Sequence, residues 1–291
     1  MTQSSYLGAS PEAIQDHYDL GNEFYSVWLD PSMTYSCALW DFDNPEDTLH
    51  IAQMRKLDFL VTSARATGVG RVLDIGCGWG SLLDRLAGRH GVSSATGLTL
   101  SEAQALHAGE TLDASVEVRV ENWADHTPQA PYDAIISIGA FEHFADFGMS
   151  RAERINAYRR FFASCAGWLE PGGRLVVQTI SKGSHTKLDR QSTRDLLFII
   201  DRIFRESELP WPSEMLEASE RLFEVVALRN DAAHYARTCM VWLENLRAAR
   251  GQAVELVGEQ AYADYERYLA GSARAFTKGH VGLLRVTFER T

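Results

Sequence analysis

The chain has no apolar run approaching the roughly 18 residues of a membrane span, and its start, Met1-Thr2-Gln3-Ser4-Ser5, lacks the basic-then-apolar order of a secretory signal. A cytoplasmic location with at most peripheral membrane contact is expected. Cysteine is sparse: Cys37, Cys77, Cys165 and Cys239 lie far apart with no C-x-x-C, a pattern that gives neither a metal site nor a disulfide framework. Positive charge is also short. The 28 Lys and Arg stand against 39 Asp and Glu, for a net charge of −11. A nucleic-acid partner needs a basic face, so none is expected. There is no internal repeat and no low-complexity stretch. What remains is 291 residues at 45% hydrophobic, enough for one large domain or a domain with a sizeable insertion.

The most informative stretch is Val72-Leu73-Asp74-Ile75-Gly76-Cys77-Gly78-Trp79-Gly80. An apolar strand empties into alternate glycines, which bring bare backbone against a ligand. The dinucleotide fingerprint is G-x-G-x-x-G with an acid about 20 residues on; this run is D-x-G-x-G-x-G. It reads as an S-adenosylmethionine (SAM) site, with Asp74 facing the cofactor's cationic end. The bland alternative is a tight strand-to-helix turn.

From Arg71 the chain alternates short β-rich runs with helical stretches, the pattern of an α/β domain around a largely parallel sheet. Strands are expected at Arg71–Ile75, Ala95–Thr99, Val116–Val120, Tyr132–Ile138, Arg174–Ile180, Leu222–Leu228 and Leu283–Phe288, and helices at Ser81–Arg89, Ser101–Leu112 and Ser150–Leu169. A Glu170-Pro171-Gly172-Gly173 turn separates the last helix from the fifth strand. Ligands of such sheets sit beyond the carboxyl ends of the strands, which gathers Gly76, Thr99, Trp123 and Glu142 around one crevice. Residues 1–60, aromatic-rich with little periodicity, read as a cap over that crevice, and 61–291 as the main domain, with a helical lid inserted at about 182–220 and 235–277. Between Lys182 and Arg205 six Lys or Arg face three Asp. That excess is either a solvated helix face or a dock for a phosphate-bearing or acidic-carrier-linked substrate.

Several motifs recur in a known order: His17-Tyr18-Asp19-Leu20-Gly21-Asn22-Glu23-Phe24-Tyr25, Thr34-Tyr35-Ser36-Cys37-Ala38, the glycine run, Gly97-Leu98-Thr99-Leu100-Ser101 with Gln104, Ser137-Ile138-Gly139-Ala140-Phe141-Glu142-His143-Phe144, and His234-Tyr235-Ala236-Arg237-Thr238. Over nearly its whole length the chain resembles the cyclopropane fatty acid synthase and mycolic acid methyltransferase family. The resemblance implies a class I SAM-methyltransferase (Rossmann-like) sheet with an N-terminal helical cap and a helical lid insertion. It implies cofactor contacts at Tyr35, Ser36, Asp74, Gly76, Gly78, Gly80, Thr99, Gln104, Trp123 and Ile138. It also implies a bound bicarbonate as base, held by backbone groups of Cys37 and Ile180 and by Glu142 and Tyr235. A fifth position departs from the pattern: Gln178 stands where the family has histidine. Glutamine donates a hydrogen bond but carries no charge to an anion, so weakened bicarbonate binding is expected, with Glu142 as the candidate base.

An alkene is a poor nucleophile, so methylating one needs a dry site and walls that stabilise a carbocation without capturing it. Tyr18, Phe24, Tyr25, Tyr35, Phe141, Phe144 and Tyr235 are candidate walls, each cation–π contact being worth roughly 0.5 to 2 kcal/mol. The cation then loses a proton to give either a cyclopropane or a methylated alkene. Glutamine at 178 shifts the expectation toward plain methylation of an isoprenoid or unsaturated acyl double bond in specialised metabolism. A cyclopropane-forming lipid synthase, an O- or N-methyltransferase of a small metabolite and a non-catalytic SAM-fold or lipid-binding protein are the alternatives. His143 is expected to be a packed surface side chain, and a homo-oligomer is compatible with the sequence.

Overall fold

The computed structural model describes residues 20–185, 187–204 and 207–291. Tyr18, with the rest of the cap before residue 20, lies outside them, as does Arg205 of the basic run. Strands β1 (Arg71–Ile75), β2 (Ser94–Thr99), β3 (Val116–Val120), β4 (Tyr132–Ile138), β5 (Leu169–Lys182), β6 (Phe223–Asn230) and β7 (Val281–Arg290) form one sheet. Their order is β3-β2-β1-β4-β5-β7-β6, and β7 runs antiparallel to both its neighbours. This is the class I methyltransferase arrangement expected from the sequence. The central strands read as near-continuous apolar runs because helices cover both faces. In β1, Val72 and Leu73 are fully buried.

The helices on the sheet are α3 (Ser81–Gly88), α4 (Glu102–Thr111) and α5 (Arg151–Trp168). Ser101 caps α4 by accepting from the Gln104 amide, and Ser150 forms a capping box with Glu153 at the start of α5. The fifth strand begins earlier than expected. Tyr132 pairs with Leu169 and Ala134 with Arg174, so Glu170–Gly173 bulge out within β5 and do not separate it from the helix. Gly172 takes φ 79° to allow this.

The segments expected to form cap and lid share one apolar core. In the cap, α1 (Asn22–Ser26) and α2 (Leu49–Ser63) precede the sheet. The lid contains α6 (Arg190–Arg202), α8 (Ala232–Ala248) and α9 (Arg250–Thr277), the last broken at Gly258. Phe24, Tyr25 and Trp28 pack with Trp242, Tyr262, Tyr265 and Tyr268, and the hydroxyls of Tyr25 and Tyr265 meet at 2.7 Å. The remaining helix of the 182–220 segment, α7 (Pro212–Ser219), departs from the lid. Arg154 of α5 holds Glu214 through two nitrogens, and Met215 and Ala218 are buried with Phe161 and Phe162. It therefore belongs to the sheet body. Among the described residues no helix is long and apolar enough to cross a membrane.

Gly80 starts α3 at φ 91°, where a Cβ would approach Leu112 Cδ1 to 2.7 Å. Gly80→Ala is expected to cost about 1–3 kcal/mol of stability through the left-handed backbone and this contact, read as a lowered denaturation midpoint at unchanged m-value.

Candidate active site

The site is built around the cap loop Thr34–Trp40, which is held from two sides. On one, α2 presents a polar ridge: Gln53 Nε2 donates to the carbonyls of Thr34 (3.2 Å) and Ser36 (2.8 Å), Lys56 Nζ to Ser36 Oγ (3.0 Å) and Arg55 to the Leu39 carbonyl (2.7 Å). On the other, α8 and β7 close in. The Ala38 amide donates to Thr238 Oγ1 (3.2 Å), the Trp40 amide to His234 Nδ1 (3.0 Å), and Arg285 reaches the carbonyls of Cys37 (3.2 Å) and Ala38 (3.1 Å). Tyr35 and Ser36 thereby lie over the carboxyl ends of β1 and β4.

Beneath them is a cavity of about 140 Å³. Tyr35, Ser36, Asp74, Gly76, Gly78, Thr99, Gln104, Trp123 and Ile138, the positions expected to contact the cofactor, all line it. Gly80 does not; it serves the packing of α3 against Leu112. Thr99 Oγ1 donates to Gln104 Oε1 at 2.9 Å, which turns the amide NH2 of Gln104 outward. Trp123 is set by Phe144 and Phe161, with ring centroids 5.1 and 5.4 Å away. The sequence reading missed Lys56, Glu121 and Asn122 on the same wall. The residues fit a cationic nucleoside carrying an amino acid. Asp74 is buried, with Oδ1 lacking any hydrogen-bond partner, and burial pushes its carboxyl up to about 7 against the pull of Lys56. A Cβ on Gly78 would meet nothing within 4 Å, so the space beside its backbone is open to a ligand.

A second, larger cavity of about 410 Å³ adjoins the first. Tyr35, Ser36, Gly139, His143, Phe204 and Ser207 line both. Elsewhere its wall is mainly apolar, with Leu196, Ile199, Leu209, Tyr268, Phe276 and Leu283. Glu142, Gln178, Ile180 and Tyr235 converge on it. Glu142 sits in the 3-10 turn after β4, and its Oε1 accepts from the Ile180 amide at 2.6 Å. Oε2 is buried without a hydrogen-bond partner. Burial raises this carboxyl to about 7, opposed by the backbone donor of Ile180. Tyr235 stacks on Phe276 with centroids 4.5 Å apart.

The Cys37 side chain is fully buried and lines neither cavity, and burial pushes its thiol up to about 12, which is compatible with the backbone role expected there. The expectations for Phe24, Tyr25, Phe141 and His143 change. Phe24 and Tyr25 pack against α9, and Phe141 stacks on Tyr158 at 4.6 Å, so these three are core and not walls. Phe204, Trp211, Tyr268 and Phe276 supply aromatic surface instead. His143 is half-buried and takes part in the site: it lines both cavities, pairs with Ser207 Oγ at 2.8 Å, and burial pushes it down to about 4, which keeps it neutral.

The antiparallel register places Gln178 of β5 opposite Arg285 of β7. Arg285 is 2% exposed, and its Nε donates to Gln178 Oε1 at 2.7 Å while it pairs with Asp231. Guanidinium has only donors, so the glutamine oxygen must face it. The NH2 is then the group Gln178 presents to the large cavity.

The family model for mycolic acid cyclopropane synthetase matches residues 7–286. Cyclopropane mycolic acid synthase 2 of Mycobacterium leprae is 36% identical over 96% of this chain and 94% of its own. Among solved structures, the cyclopropane synthase MmaA2 from Mycobacterium tuberculosis superposes with TM-score 0.88 at 32% identity, covering 98% of this chain and 99% of that one. The mycolic acid cyclopropane synthase CmaA1, solved in complex with SAH and CTAB, gives 0.86 at 32% identity with the same coverage.

Gly78→Val is expected to abolish nucleoside binding by filling the open space beside its backbone. Calorimetry with SAH on folded protein checks this, and unchanged affinity would remove the glycine run from the site.

Proposed function

The chain belongs to the mycolic acid cyclopropane synthetase family and is a SAM-dependent methyltransferase; from that premise we propose that it converts the double bond of an unsaturated acyl chain into a cyclopropane. The observation that carries this reading is the junction of the two cavities, where a mainly apolar chamber meets the cofactor pocket beside a buried carboxylate oxygen without a partner. SAM supplies an electrophilic methyl when bound. The chain's own residues do the rest. Tyr35 and Ser36 cover the junction, the apolar wall excludes water that would trap a cation, and Tyr35, Tyr235 and Tyr268 offer aromatic faces to it. The alkene π pair would take the methyl of the bound cofactor as the carbon–sulfur bond broke, with Tyr35 and Ser36 over the two partners. One C–H pair of the transferred methyl would then close the ring, and its proton would leave toward Glu142 Oε2.

Ring closure is favoured over a methylated alkene by similarity to cyclopropane synthases across the whole length. It is also favoured by Arg285, because an amide NH2 fixed toward the cavity is a donor for an anion in place of the family's histidine. The Gln178 NH2, the Tyr235 hydroxyl and backbone at Cys37 and Ile180 are the groups that would hold bicarbonate, which would supply a proton acceptor beside Glu142. An O- or N-methyltransferase would need a polar chamber, and this one is mostly apolar.

Glu142→Gln is expected to keep SAH affinity and lower turnover by about 10² or more, the scale of a lost general base. Wild-type turnover should rise with pH through about 7 as the Glu142 carboxyl ionises, and the variant should lose that limb. Both candidate products gain the same mass, so proton NMR decides: loss of vinyl signals with upfield ring protons supports the synthase, and retained vinyl signals refute it. Stripping dissolved carbonate should lower wild-type turnover, and Gln178→Glu, which exchanges a donor for an acceptor, should abolish the dependence.

A further inference from the structure

Lys56 stands outside the chemistry described so far, yet it is a fully buried cation with no ion-pair partner among the described residues. It lies on α2 and lines the cofactor pocket. Its only hydrogen bond among the described residues is to Ser36 Oγ, and it forms no ion pair there. A lone buried ammonium is costly and is seldom retained without an anion to meet it. On the same wall Asp74 has the complementary defect, a buried carboxylate oxygen with no partner. The two lie near enough to influence each other's charge but do not pair. The pocket thus holds one unmatched buried charge of each sign.

We propose that Lys56 and Asp74 form a clamp for a zwitterion: Lys56 Nζ pairs with the carboxylate of the cofactor's amino-acid end and Asp74 with its ammonium, while Ser36 ties the clamp to the cap. This rests on the SAM reading of the pocket, which already set Asp74 toward the cationic end, and goes beyond it by giving the carboxylate end to Lys56. Lys56 is then a specificity residue for amino-acid-bearing nucleosides. The groups facing it are Asp74 from β1, Arg285 from β7, and Asp30 and Cys37 from the cap. Arg285 is committed to Asp231, and Asp30 to His50 and the Ser32 and Thr34 backbone. Cys37 stays a thiol, which leaves Asp74 and an incoming carboxylate as the anions able to answer Lys56.

Burial lowers Lys56 to about 7, and Asp74 is raised to about the same value. At pH 7 a bound carboxylate would draw a proton onto Lys56, and a bound ammonium would expel one from Asp74. The two exchanges oppose each other in the wild type. Each single variant uncovers one of them.

The test compares SAH with 5′-methylthioadenosine, which keeps the nucleoside and thioether but lacks the amino-acid end. Wild type should prefer SAH, and Lys56→Met should weaken SAH by about 10²-fold, the scale of truncating one partner of a buried charge pair, leaving methylthioadenosine within about 3-fold. Calorimetry at pH 7 in buffers of different ionisation enthalpy should show net proton release on SAH binding in Lys56→Met and net uptake in Asp74→Asn. Unliganded Lys56→Met should melt no lower than wild type, since it removes an unpaired buried charge. Equal weakening of both nucleosides, or no weakening of SAH, overturns the clamp while leaving the cofactor reading intact. A wild type that binds neither nucleoside overturns the cofactor reading and the clamp with it.

Discussion

The buried guanidinium of Arg285 is the interaction on which the rest of the site depends. From the antiparallel strand β7 it touches β5 through Gln178, the start of α8 through Asp231, and the cap through two successive carbonyls. These elements lie up to 248 positions apart in sequence. A side chain with several donors in a fixed planar fork can satisfy such a set at once; a lysine in its place would be a point charge able to serve only part of it. Removing it would leave the buried Asp231 carboxylate with only the half-exposed Arg229 as a cationic hydrogen-bond partner and free two cap carbonyls together, so its loss would be felt in the cap, the sheet and the lid alike.

Around that anchor the molecule keeps two solvents apart. The cofactor pocket contains charge and hydrogen-bonding groups at the carboxyl ends of parallel strands, whereas the chamber beside it is made chiefly of lid and strand side chains without them. Their common wall is short and mixed: Tyr35 and Ser36 from the cap, Gly139 and His143 after β4, Phe204 and Ser207 before α7. A group passing between a polar donor and an apolar acceptor has to cross there, and Glu142 stands just behind it. Burial that lifts Glu142 toward neutrality also keeps water from competing for the proton.

Much of this was legible in the sequence, for identifiable reasons. The parallel strands announce themselves as apolar runs ending in glycine or polar turns, and β1, β3 and β4 begin and end where expected. Glu170–Gly173 misled because Pro-Gly-Gly signals a turn locally, while pairing of Leu169 with Tyr132 is a non-local choice. The aromatic walls were half legible: composition shows that Phe24, Tyr25 and Phe141 are buried somewhere, but which side they face depends on α9 and α5, distant in sequence. Lys56 and Arg285 did leave a trace. Arg285 interrupts Leu283-Leu284 and Val286, and Lys56 follows Ala52 and precedes Leu60 at four-residue intervals on a buried helix face. A charge on an apolar face predicts a buried partner, though not which one.

The larger chamber is rimmed by Leu188 and Ile200, which line it and yet are 40% and 41% exposed. An acyl chain longer than the chamber would keep its remaining length, and whatever it is attached to, beyond that rim. For the acyl substrate proposed above, the span from rim to junction would act as a ruler. It would select a double bond by its distance along the chain more than by the identity of the head group, and a chain bearing two double bonds would be modified at the one whose position matches that span.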